Sequence, residues 1–127
     1  MVGVLEEIES PVAEGLVVWR AYEEGGRRSG PPTAPVYMAT AVFVRGDEEA
    51  VQPGWPASAD QLSILLQEVE RLDGHRRRCL VGFLVPELAL PHLRPGAELL
   101  VLEGPRAVAG ARIDTVLAHG QPGTRRR

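Results

Sequence analysis

The chain contains no lysine and no asparagine, and all 14 of its basic residues are arginine. Without lysine there is no GxxxxGK[ST] phosphate loop and no Schiff-base chemistry through a side-chain amine. Without asparagine there is no N-glycosylation acceptor. A single cysteine, Cys79, excludes an internal disulfide and a cysteine-based zinc pair. No apolar run approaches the roughly 20 residues of a membrane helix, and the opening Met1 to Ile8 is too short and too acidic for a secretory signal. A soluble, cytoplasmic protein with no membrane partner is expected. Isoleucine is also scarce, and together these gaps fit the codon usage of a GC-rich bacterial genome.

What is present is one domain's worth of chain: 127 residues, with 14 glycines and 11 prolines as punctuation. Such a domain buries roughly two thirds of its unfolded surface and holds a core without staples. Net charge is -3, and Arg125 to Arg127 hide a still more acidic body, so no global positive field is available for nucleic acid.

Between the punctuation lie short apolar runs rich in β-branched residues. Val2 to Ile8 is a candidate first strand, and Gly15 to Tyr22 a stronger one. Glu23 to Pro35 holds too many Gly and Pro residues for a helix or a central strand. Val36 to Val44 is apolar on both parities, as expected for a strand buried on two faces in a small closed barrel. Ser58 can cap a helix at Gln61, and Leu62, Leu65, Leu66, Val69 and Leu72 recur at three- and four-residue steps, predicting an amphipathic helix over residues 59–72 with Asp73-Gly74 as its stop. That helix is expected to pack over a barrel opening or face. Leu80 to Val85, with Gly82 marking a bulge or close backbone approach, Leu99 to Glu103 and Val108 to Leu117 complete the pattern. The sum is a single mostly β domain over residues 1–120, with five to six strands, one inserted helix and a frayed Arg-rich tail over 121–127.

Two segments resemble a known family. Tyr22-Glu23-Glu24-Gly25-Gly26-Arg27 is similar to the opening of the third, C-terminal β-barrel domain of elongation factor Tu. Leu93 to Leu99 and then Leu102-Glu103-Gly104-Pro105-Arg106-Ala107-Val108-Ala109-Gly110-Ala111 resemble its closing hairpin, which carries an Arg-Glu-Gly-x-Arg-x-Val-Gly-x-Gly run. The order of the pieces agrees over Gly15 to Leu117. The resemblance implies a closed antiparallel Greek-key barrel. It also implies a surface around Gly25, Gly26, Arg27, Arg28, Tyr37 and Arg106 that meets a partner. Where the family has Tyr-Arg-Pro-Gln, this chain has Tyr37-Met38-Ala39-Thr40, losing the Arg and Gln that would meet RNA. The expectation is therefore a non-catalytic module that binds a protein, such as a toxin, a translation factor or a second copy of itself, with tRNA or rRNA binding as the alternative. No GTPase activity, cofactor or metal is expected.

Other candidate residues have ordinary readings. His75, His92 and His119 lack ligand spacing. Cys79 reads as a core thiol, Arg76-Arg77-Arg78 as a solvated turn, Arg45-Gly46-Asp47 as a strand-ending turn, and Trp55 between Pro53 and Pro56 as a packing ring.

Overall fold

A computed structural model describes residues 7–44 and 61–117. The expectations for Val2 to Glu6, Arg45-Gly46-Asp47, Trp55 with its prolines, Ser58 to Asp60, His119 and the tail lie outside the described residues. Those described form six strands: β1 Ala13–Trp19, β2 Tyr37–Val44, β3 Leu62–Arg71, β4 Arg76–Phe83, β5 Glu98–Glu103 and β6 Arg106–Val116. Each pairs antiparallel with its neighbours in a closed ring, β1-β4-β3-β2-β5-β6. β2, β3 and β4 follow one another as hairpins and β1 lies beside β4, which is Greek-key order. The expected mostly β closed barrel is therefore the observed fold. Closure leaves none of these strands as an open edge.

Alternation along the strands fills the interior. Val17 and Trp19 of β1, Ile64 and Leu66 of β3, Cys79, Val81 and Phe83 of β4, and Leu99, Val101, Ala109, Ala111 and Ile113 of β5 and β6 make one buried cluster. Burying each large aliphatic side chain in it contributes about 1.5–3 kcal/mol. Outside the wall, Ile8, Val36 and Leu65 form a second cluster with Leu80 against it. Gly82 gives this cluster room, since a Cβ there would lie 2.7 Å from Ile8 Cγ2. Neither the bulge nor the close backbone approach expected at Gly82 is found: its pairing is regular and its close neighbour is a side chain. Glu7 and Ile8, the described end of the expected first strand, are not in a strand.

The predicted helix over 59–72 is overturned: its described residues are strand β3 and its exit. Leu62, Ile64 and Leu66 pack in the main cluster and Leu65 in the outer one, so both faces of the strand are apolar. An apolar run buried on two faces reproduces three- and four-residue spacing without a helix. Val69 and Leu72, which the helical stripe needed buried, are exposed. Asp73-Gly74 is the turn of the β3–β4 hairpin: the Asp73 Oδ1 atom accepts the backbone N–H groups of His75 and Arg76, each at 2.8 Å. The only α-helix among the described residues is α1, Pro86–Ala89, followed by a 3-10 turn Leu90–His92.

The ring order dictates what covers the two openings. β1 and β2 stand opposite each other, as do β4 and β5, so their connections cross the barrel ends. Residues 20–36 cross the end at Trp19, Tyr37 and Arg77. Residues 84–97 cross the other, where the α1 residue Ala89 is fully buried and Phe43 meets Phe83 and His92, ring centroids 6.3 and 5.1 Å apart. An opening is thus covered by a helix, but by α1 and not by the segment expected.

Candidate site at the first barrel opening

The loop across the first opening is built from residues that tolerate close quarters. β1 ends at Trp19 and the chain turns through a 3-10 segment, Tyr22–Glu24, to Gly25 at φ 98°. Gly25 takes the positive φ that glycine permits; Gly26 does not share it. Its reason is proximity, because a Cβ on Gly26 would lie 1.9 Å from the Arg20 carbonyl oxygen. The Gly26 N–H donates to the Ala21 carbonyl at 2.9 Å, which folds the loop back on its own start.

Arg27 then ties the loop to the barrel. Its Nε donates to Glu103 Oε2 at 2.8 Å and its Nη1 to the Gly30 carbonyl at 2.5 Å. Its guanidinium carbon lies 5.6 Å from the centre of the Tyr37 ring. The Tyr37 hydroxyl donates to the same Glu103 oxygen. Trp19 meets Tyr37 edge-on, with centroids 5.2 Å apart and planes at 84°. Burial, and then the hydrogen bond and charge of Glu103, hold the Tyr37 phenol well above its ordinary ionisation range.

Of the residues expected to meet a partner, Gly25, Gly26, Arg27, Arg28 and Tyr37 come together here. Arg106 joins them through the β5–β6 hairpin, where it stands opposite Glu103 in the register. Their states differ. Arg27 and Tyr37 are engaged internally, whereas Arg28 and Arg106 are exposed. Arg28 stacks over Tyr22, 5.6 Å from the ring centre, and Tyr22 is 53% exposed.

Two residues of this opening carry roles absent from the sequence reading. Glu103 accepts both Arg27 and Tyr37; it lay inside a recognised motif, but nothing local marked it as their acceptor. Arg77, expected in a solvated turn, lies instead in β4 and is only 5% exposed, because alternation along that strand turns it inward with Cys79. Its Nε donates to Glu68 Oε1 at 3.0 Å and its Nη1 to the Asp73 carbonyl at 2.6 Å. Arg76 and Arg78 are satisfied differently, by Asp73 at 2.8 Å and Asp114 at 2.9 Å. Arg76 and two backbone N–H groups hold the Asp73 carboxyl well below the usual carboxylate range. Cys79 is a buried thiol, as expected, and desolvation pushes it up to about 12, with Glu68 adding to the effect and Arg77 opposing it.

His75 and His92 belong to opposite ends, His75 Nδ1 lying 3.1 Å from the Trp19 carbonyl oxygen and His92 against Phe43. Among the described residues no group of acidic, histidine or cysteine side chains is arranged to hold a metal ion, and no helix is long and apolar enough to cross a membrane. No known protein family and no curated protein sequence matches the chain.

Proposed function

We propose that the chain is a non-catalytic, protein-binding barrel resembling the C-terminal barrel of elongation factor Tu, and that the loop crossing its first opening is the binding face. The observation that carries this reading is the exposed Tyr22–Arg28 stack on a loop held by Arg27 and Glu103. Tyrosine and arginine dominate binding energy at protein interfaces, and a loop already fixed in shape loses little entropy on docking. Arg106 lies on the adjacent hairpin and extends the same face.

Electrostatics favour a protein over RNA. Arg27, Arg71, Arg76, Arg77 and Arg78 each have a carboxylate within 4.0 Å, so their charge is neutralised locally rather than offered to phosphate. The non-catalytic part of the reading draws support from the two groups best placed to react. The Tyr37 phenol and the Cys79 thiol are both shifted away from their ionised forms at neutral pH.

The test is capture of partners from a nuclease-treated lysate of the source organism on the full chain and on a Tyr22→Ser/Arg28→Ser double variant. A protein retained in stoichiometric amount by the first and lost by the second is the expected result. Tight binding of bulk tRNA that weakens steeply with salt would replace this reading with the RNA one.

A further inference from the structure

Under the crossing loop lies a cavity of about 240 Å³, which Glu103 does not line. Trp19, Tyr37 and Leu66 give it an apolar wall, Pro32 to Pro35 of the loop roof it, and Glu68, Arg71, Arg77 and Cys79 complete the lining. An apolar cavity of about 150 Å³ accepts benzene, so this one has room for a single ring and a small polar substituent. A larger hollow of about 470 Å³ lies on the outer wall by Val18 and Leu100, but no buried charged side chain lines it.

The polar end of the inner cavity is built for an acceptor. Arg77 has five N–H donors, of which Nε and one on Nη1 are engaged; among the described residues Nη2 has no partner. Both oxygens of Glu68 are taken, Oε1 by Arg77 and Oε2 by Arg71 at 3.4 Å. The carboxylate is therefore already matched, and the surplus at this end is one positive charge and a buried donor edge. A buried guanidinium with unused donors gains most from a charged acceptor.

We infer that this cavity binds a small ring-bearing monocarboxylate, its ring against the wall of Trp19, Tyr37 and Leu66 and its carboxylate on the Nη2 edge of Arg77. This site is separate from the Tyr22–Arg28 face, so either can fail without the other.

Titrating isotope-labelled full chain with benzoate and with neutral, similarly sized benzyl alcohol, while following the Trp19 indole N–H, the Arg77 Nε–H and the Cys79 amide by NMR, tests it. Saturable shifts at these groups with benzoate, at least roughly tenfold tighter than with benzyl alcohol, are expected from one charge-assisted pair. Arg77→Met should then abolish the preference. Equal affinity for the two probes, no saturable shift, or benzoate shifts confined to Arg28 and Arg106 would overturn the assignment. The wild-type comparison decides even where the variant does not fold.

Discussion

Arg27 and Glu103 stand 76 residues apart in the chain and meet at 2.8 Å, joining the loop over the first barrel opening to the end of β5. The pair is partly exposed, which limits its worth to well under that of a buried ion pair. Glu103 nevertheless accepts two donors, and its loss leaves the Tyr37 hydroxyl half-buried without its acceptor. Glu103→Ala is expected to cost about 1–2 kcal/mol in urea unfolding. Arg27→Ala combined with it should cost less than the two changes summed, as contacting residues do. Additive costs would show that the clamp contributes nothing as a unit.

Adjacent glycines in the same loop should fail for different reasons. Gly25 sits at φ 98° with nothing within 4 Å of where a Cβ would lie, so Gly25→Ala costs only backbone strain, about 1–2 kcal/mol. Gly26→Ala drives a methyl to 1.9 Å from the Arg20 carbonyl, and the loop has to move. The second change is expected to weaken partner binding through Tyr22 and Arg28 as well as stability, and the first to spare binding. Equal binding losses from the two would argue against a loop held in shape by close packing at Gly26.

These contrasts also show what could be seen in the sequence beforehand. Residues 36–44 read as an apolar strand, and β2 is one, but the burial expected on both faces is not found. Met38 is exposed and only Ala41 and Val42 within β2 are buried, because one face of a barrel strand points outward. The Gly104-Pro105 turn and the Asp73-Gly74 dipeptide are equally visible. Asp73-Gly74 nonetheless reads as a helix end, because Leu, Gln and Glu in 61–72 are good helix formers. Pairing with β2 on one side and β4 on the other outweighed that preference, and neither partner is visible locally. Within the site, the positive φ of Gly25 could be anticipated from its type and place. The inward turn of Arg77 could not, since three consecutive arginines carry no parity until the register of β4 against β1 is known. Nothing near Glu103 in sequence marks its role, because its partners come from distant stretches of chain that β2–β5 pairing and the crossing loop bring to it.

Cys79 offers a direct probe of the core beside the cavity. It is 3% exposed and its thiol is pushed up to about 12 by desolvation. Burial and the raised ionisation range of the thiol both protect it from disulfide reagents. Its reaction with such a reagent is expected to be orders of magnitude slower than that of a free thiol, and to accelerate with urea in step with unfolding. Rapid labelling in buffer alone would mean that the loop does not close the opening.

Tyr37 makes the clamp sensitive to alkali. Its phenol, ordinarily ionising near 10.0, is held protonated in the folded chain by burial and by donation to Glu103, against the opposing charge of Arg27. The folded state therefore binds this proton more tightly than the unfolded state. That stability is fully present below about pH 10 and is lost progressively as pH rises beyond it. Tyr37→Phe removes the proton and one hydrogen bond, costing about 1 kcal/mol at neutral pH. Arg27, Cys79 and Tyr22 are common to both chains, so the difference in their urea midpoints isolates Tyr37. It should shrink between pH 9 and pH 11, because only the wild type has this proton to lose. A gap that stays constant over that range would show that the phenol ionises alike in both states and that its bond to Glu103 does not hold the loop.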